Sequence, residues 1–370
     1  MRFFLRSNHP FAHWWRCVDR GALVLLFLLL AFSAAVSFSA SGAVADSFNV
    51  DTTYFARRQI LFLLGAVPVM LFFSFLSVPG VRNLAIIVFL VALTGVIFTV
   101  LNGAEVKGAQ RWIEVLGARL QPSELLKPTF VVVTGWLMSA ATPEGRIKGF
   151  FLSGVLLFAI ALFLLMQPDF GMLLLVSLIW FGQMFFANLA PVLLLGLLGI
   201  VVAVMSIGYV FLPHVRVRLM GFLDPTTGDS YQVDRAQQAF VDGGLFGRGP
   251  GEGVVKNLIP DAHTDFILAV IAEEFGIVGC MVLLVLYGLL LMRLFTKLIE
   301  AEDRFTTLAG SGLLLLFGAQ VMINMGVALN LLPTTGMTLP FISYGGSSML
   351  AMAVTMGFLL ALTRRKRQPI

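Results

Sequence analysis

The sequence predicts an all-α integral membrane protein, a polytopic bundle of about ten transmembrane helices. Three observations carry this. Apolar residues make up 58% of the 370 and charged residues 12%, about half the ~25% charged share of a typical soluble domain and too few to cover a soluble surface. The mean hydropathy is +0.93. The apolar stretches are long and continuous and lack the alternation of a transmembrane β-barrel. The Phe and Leu content excludes disorder. A net charge of +5 would suit nucleic acid, but the basic residues lie where membrane orientation puts them, so no nucleic-acid partner is expected.

A helix needs roughly 20 apolar residues to cross the bilayer. Such runs place spans near 21–41, 59–77, 83–101, 123–140, 148–166, 169–187, 190–212, 264–294, 306–330 and 340–362. The block 149–187 is too long for one pass. Gln167-Pro168-Asp169 divides it as a tight turn, because proline lacks an amide donor and aspartate favours turns. Asn188-Leu189-Ala190-Pro191 divides the next pair in the same way.

Ten spans put both termini on one side. That side carries 14 Lys and Arg, including Arg2, Arg6, Arg16, Arg20 and the tail Arg364 to Arg367; the other carries 10 over far more residues. The positive-inside rule then expects both termini in the cytoplasm, a cytoplasmic segment at 1–20, a basic cytoplasmic tail at 364–370, and large hydrophilic loops facing outward at about 102–122 and 213–263. Ala43-Val44-Ala45 looks like a signal-peptide cleavage site, but the apolar run before it exceeds the 7–15 residues such a signal uses. Cys17 and Cys280 lie at different depths or sides, so no disulfide is expected. No P-loop is present, so neither a nucleotide nor an organic cofactor is expected. His9, His13 and His214 lack metal-ligand spacing.

A charge at the bilayer centre costs about 2.5–3.5 kcal/mol, so intramembrane ionisable groups are candidate sites. Glu124 and Lys127 follow Gln121-Pro122-Ser123 at a helix start and share a face three residues apart. They either neutralise each other or serve a site. Asp261 and Thr264 suit N-caps of the span 264–294. Asp265 would stand at the outer rim of that helix. Projected at 100° per residue, Ala269, Ala272, Gly276 and Gly279 fall within about 40° of it. That stripe of small residues reads as close helix packing or as a groove for a lipid chain below a reactive head. Glu273 and Glu274 would lie about 12–13 Å deeper. They must be neutral or paired, either with a Lys or Arg of another span or as part of a polar path. The run Gly243 to Gly253 reads as a flexible linker or as a cradle of amides for an anion, with Arg248 and Lys256 adding charge. Ser343-Tyr344-Gly345-Gly346-Ser347 reads as helix packing or as an unwound stretch at a cavity.

These residues resemble a known family. Lys107-Gly108-Ala109-Gln110-Arg111-Trp112, Gln121-Pro122-Ser123-Glu124 with Lys127, Gln167-Pro168-Asp169, His263-Thr264-Asp265-Phe266 with Ala272-Glu273-Glu274, and Ser343-Tyr344-Gly345-Gly346-Ser347 are similar, in order, to the motifs of the SEDS family (shape, elongation, division and sporulation). The resemblance runs from about Asp19 to Thr363, and Gly247 to Lys256 looks most like its division branch of alphaproteobacterial type, with the rod-shape branch a near alternative. It implies the SEDS ten-helix fold, with 21–363 as the catalytic domain, and a peptidoglycan glycosyltransferase at the division septum of the bacterial cytoplasmic (inner) membrane. It also implies lipid II (a disaccharide-peptide on undecaprenyl pyrophosphate) as substrate, a class B penicillin-binding protein transpeptidase and other divisome proteins as partners, and an active site on the periplasmic side.

By this resemblance Asp265 is the catalytic carboxylate, either the base for the attacking sugar hydroxyl or a ligand for a divalent cation, Mg²⁺ or Mn²⁺. Arg111 and Lys127 are the favoured holders of pyrophosphate, Arg248 and Lys256 the reserves. Glu124 would orient Lys127. Gln121, Asp169, His263, Ser343 and Gly345 would line the substrate cavity. A lipid II flippase is the rival reading, suggested by Glu273 and Glu274 as a buried polar path. A third is a structural scaffold, in which Asp265 would be freely replaceable.

Overall fold

The computed structural model describes residues 10–45, 51–106, 109–115, 118–140, 142–189, scattered positions between 192 and 222, and 231–365. A short amphipathic helix, α1 (Pro10–Cys17), precedes nine long ones: α2 (Arg20–Ala45), α3 (Tyr54–Ser74), α4 (Val78–Asn102), α5 (Pro122–Met138), α6 (Pro143–Met166), α7 (Phe170–Phe186), then, after α8 (Tyr231–Gly243), α9 (Ile267–Ile299), α10 (Arg304–Ala328) and α11 (Gly346–Leu362). The nine match nine expected spans; the span at 190–212 lies largely outside the described residues. Cys17 and Cys280 are free thiols.

Six of the helices, α2, α3, α4, α6, α9 and α10, are long and apolar enough to cross a membrane. Their outward residues, such as Leu61, Phe72, Val91, Phe151 and Met292, are exposed and apolar, as a lipid-facing surface requires. In contrast α5, α7 and α11 have 17 residues each, about 25 Å of helix against a ~30 Å core. All three start late. Gln121, Asp169 and the turn 339–345 precede them, so polar turns fill the space at one face of the bundle. We call this the loop face. At the opposite, terminal face the amide of Arg365 donates to the Cys17 carbonyl, so the two ends of the described chain meet there. Helix α11 is buried all round, packed against α3, α5 and α10.

Four elements depart from the sequence reading. The expected hydrophilic loop 102–122 holds a three-stranded antiparallel meander, β1 (Ala104–Val106), β2 (Ala109–Val115) and β3 (Ala118–Leu120), in the order β1-β2-β3. The chain is therefore nearly, not wholly, helical. Helix α8 sits in the second loop and packs on α9. The last helix starts at Gly346, six residues later than expected.

The largest departure is in α9. Its helix is broken at Gly276, where φ is 68° and ψ −171°. A side chain there would collide with Leu245 O and the Gly247 amide, so only glycine fits. The backbone groups freed by the break are not lost. Arg248 and Gly249 amides donate to the carbonyls of Glu273 and Glu274, at 2.9 and 3.1 Å, and Ile277 and Val278 amides donate to Gly244 and Leu245, at 3.0 and 3.1 Å. Before the break, residues 267–274 are all buried; after it, Ile277, Val278, Met281 and Val282 are exposed. The lipid-facing part of α9 thus begins at Gly276, and the first half-helix belongs to the polar face.

Candidate functional site

Of the two readings of the small-residue stripe below Asp265, close packing is the one observed, and there is no groove along it. Ala269 and Ala272 are fully packed, Gly276 lies under the 245–247 backbone, and Gly279 lies against the Phe275 ring. Asp265 itself is not in the helix. It ends a run of turns, 261–266, and the N-cap of α9 is Phe266, without a side-chain cap. Asp261 and Thr264 are likewise not caps: Asp261 adopts a left-handed conformation and Thr264 Oγ1 donates to its carbonyl.

The Gly243–Gly253 run is neither a linker nor an open cradle. Its amide nest is filled by the chain's own carboxylate. Val254, Val255 and Lys256 amides donate to Glu273 at 2.6, 2.7 and 2.8 Å. Glu274 accepts from the Gly251 amide at 2.9 Å and forms an ion pair with Lys256, whose Nζ also donates to Ser39 O. Both acids and Lys256 are buried. Lys256 is therefore corrected from pyrophosphate ligand to structural counter-ion. Arg248, half-exposed, is paired with Asp242 at 2.9 Å.

The remaining candidates gather at the loop face. Strand β2 carries Arg111 to the turn before α7, where it donates to Gln167 O at 2.9 Å and to Pro168 O, and faces Asp169 at 3.6 Å. Asp169 caps α7 by accepting from the Met172 amide. Burial pushes its carboxyl above the ordinary 3.8, against the pull of the Arg111 charge. Glu124 and Lys127 are close enough to act on that same charge. They pair at 2.8 Å across one helical turn. Lys127, only 2% exposed, also reaches Gln320 Oε1 at 3.4 Å. To meet a headgroup it would have to exchange these partners. Arg111 keeps 23% of its side chain exposed.

Asp265 is partly exposed, and its turn is sewn to the turn before α11. Ser343 Oγ donates to Thr264 O at 2.6 Å and accepts from the Leu339 amide; the Tyr344 amide donates to His263 O at 2.8 Å. The His263 ring packs between Phe55 and Tyr344, at 4.9 and 5.2 Å between centroids. Ser343 and His263 thus fasten the Asp265 turn. Gln121 is held by Ser347 Oγ, and Gly345 caps α11 in extended geometry. The carboxylate of Asp265 lies beside Gly336, 3.8 Å from where a side chain would begin.

Sequence reasoning missed Gln320 and Asn324, two amides one turn apart on α10. Asn324 Nδ2 donates to Asp265 O at 2.9 Å and Met337 O at 2.7 Å; Gln320 Nε2 donates to Thr338 O while its oxygen holds Lys127. One helix face therefore ties the Asp265 turn, the 337–338 segment and the Lys127–Glu124 pair into one framework. Two amides spaced i and i+4 inside an apolar span were the signal that could have found them. Asn324 Oδ1 and Thr335 Oγ1 are buried without a hydrogen-bond partner among the described residues. Both flank the segment beside Asp265, so a polar ligand or water has acceptors to meet there. No group of three or more His, Cys, Asp or Glu forms among the described residues. Among the described residues the side chains do not make a metal cage of their own.

A family profile described as Cell cycle protein, FTSW_RODA_SPOVE, matches residues 20–368. The chain is 39% identical to the "Probable peptidoglycan glycosyltransferase FtsW" of Caulobacter vibrioides, over 97% of this chain and 95% of that one. It is 32% identical to the protein of the same description from Geobacter metallireducens, over 95% and 96%. A chain from a solved structure, "Structural coordination of polymerization and crosslinking by a peptidoglycan synthase complex", superposes with a TM-score of 0.77 at 30% identity, covering 94% of this chain and 97% of that one. The crystal structure of the Thermus thermophilus rod shape determining protein RodA superposes with a TM-score of 0.68 at 28% identity, covering 94% and 96%.

Proposed function

The chain belongs to the FtsW/RodA/SpoVE family of cell cycle proteins, the SEDS family, and from that premise we propose how it works as a peptidoglycan glycosyltransferase of cell division. Its substrate is lipid II. The 4-hydroxyl of one sugar attacks the anomeric carbon of another; the bond from that carbon to the diphosphate breaks, and the lipid diphosphate departs with the electron pair. Asp265 takes the hydroxyl proton. The observation that carries this reading is the placing of Asp265: a partly exposed carboxylate on a turn held from both sides, by Asn324 and by Ser343, beside buried acceptors with no partner among the described residues. Such a group is held in place and still reachable, which is what a general base requires.

Arg111 is the cation that meets the diphosphate, through its exposed edge. Lys127 and Glu124 lie behind it as a neutral buried pair that keeps Gln320, and so the framework around Asp265, in place. A Mg²⁺ or Mn²⁺ ion finds no cage here and would have to come with the diphosphate, with Asp265 as its side-chain ligand. The loop face looks outward into the periplasm and the termini lie in the cytoplasm. A class B penicillin-binding protein crosslinks the strands beside it at the septum, among other divisome proteins. The transport reading rested on Glu273 and Glu274 as a polar path. Both are consumed by Lys256 and four backbone amides, and no path is left for them to form.

The test is polymerisation of purified lipid II by the full chain, with and without its transpeptidase, comparing native protein with Asp265→Asn and Asp265→Ala. Glycan strands from the native chain alone of the three support the reading. Strands from Asp265→Ala overturn the assignment. Movement of labelled lipid II across vesicles without polymer overturns the reaction.

A further inference from the structure

On the terminal face, far from Asp265, a cleft of about 260 Å³ opens where α1, α2, α9 and α11 converge. Arg16, Arg20, Arg293, Lys297 and Arg365 line it, with Asp19 as the one acid. Asp19 is already engaged: it caps α2 through the Ala22 amide at 2.9 Å and accepts from Arg293 at 2.6 Å. Arg293 can lie flat across the first turn of α2 because residue 21 is glycine; any side chain there would occupy the place of its guanidinium. The floor of the cleft is therefore built, and its net charge is positive.

Its depth is set by neighbouring groups. Helix α1 buries Ala12, Trp14 and Cys17 against the bundle and exposes Phe11 and His13, the habit of a helix lying in the membrane interface. Trp14 is anchored by a hydrogen bond to Ser74 and stacks on Phe75, and Trp15 carries the Arg20 guanidinium over its ring. Along α2, the positions four and seven residues after Arg20 are Val24 and Phe27, on the same side and both exposed. A cationic cleft at headgroup level thus continues into an apolar strip running towards the bilayer core.

We infer that this cleft binds the phosphodiester headgroup of an anionic phospholipid, with an acyl chain along Val24 and Phe27. The chemistry is that of basic pockets between transmembrane helices. A soluble anion would find the same cations but not the strip.

The test is thermal unfolding of the purified full chain in a neutral detergent, titrated separately with phosphatidylglycerol, phosphatidylcholine and inorganic phosphate. Phosphatidylglycerol should raise the melting temperature and the other two should not. Replacing Arg20, Lys297 and Arg365 together by Gln should weaken phosphatidylglycerol binding about fivefold for each cation removed, roughly a hundredfold in all. The double replacement Arg82→Gln with Lys148→Gln, in another cleft on the same face, should leave the shift intact. Arg365→Gln alone, at an exposed side chain, serves if the triple variant does not fold, and native mass spectrometry of retained lipid gives a second readout. An equal shift from phosphatidylcholine or from phosphate, an unchanged shift in the variants, or an equal loss in the Arg82 and Lys148 variant each overturns the site.

Discussion

Two acidic stations flank the first half of α9, and they have opposite fates. Asp265, just ahead of the helix, is partly exposed while its backbone is held by neighbours. Glu273 and Glu274, at the far end of the same half-helix, are sealed and fully engaged by Lys256 and by the amides of residues 251 and 254–256. In the sequence both stand out, Asp265 as the catalytic carboxylate by resemblance and the buried pair as a polar path or as partners of a basic residue, because burial of charge is costly. The difference teaches that a buried acid signals function only when its partners do not already satisfy it. Where three amides converge on one carboxylate, the acid is a structural ligand, and the partly exposed acid nearby is the one to test.

The sharpest way to break this comparison is Asp265→Asn. It should lower polymerisation by ~10³-fold, in line with loss of a general base, while the melting temperature in detergent stays put. Lys256→Ala should do the reverse. It strands Glu274 in a dry site and should cost about 3–5 kcal/mol of stability, read as a collapse in folded yield, with turnover per folded molecule retained if the collar is only structural. Gly276→Ala forces a side chain into the left-handed break and against the 245–247 backbone, and should cost about 1–3 kcal/mol or more in melting experiments. Asn324→Ala should sharpen the comparison from the other side. It frees the Asp265 turn, so turnover should fall about 10-fold with a smaller change in melting.

The smallest effect concerns Asp169. Its folded value lies above its ordinary 3.8 because of burial, so the native chain holds the proton more tightly than the unfolded one. Its contribution to stability is greatest below about 3.8 and declines as pH climbs through the raised value. Asp169→Asn should flatten that part of the stability profile, measured by melting across the acid range.

Much of the bundle was legible because crossing a bilayer demands unbroken apolar length, and that shows in any window of sequence. The meander at 104–120 was not, since strands of three and seven residues separated by glycines carry too little alternation to register. The break at Gly276 was hidden for another reason. A glycine among Ala269, Ala272 and Gly279 reads as one more small residue in a packing stripe, and only the loop lying across it reveals a left-handed backbone. Lys256 looked available because nothing in its own neighbourhood names Glu274, 18 residues on, as its partner. The Asp265 motif was readable by resemblance, whereas its supports on α10 needed the fold. Gln320 and Asn324 matter only because α10 brings them up to turns distant in sequence.

The collar across α9 also sets an order of assembly. Residues 244–256 leave the ribosome before the half-helix to which they fasten, so their amides, Lys256 and the two glutamates remain hydrated until α9 has been threaded and bent. Closure is then a late event in biogenesis, and a chain stalled before it would display a broken helix end and two bare acids to whatever quality-control protease patrols that side of the membrane.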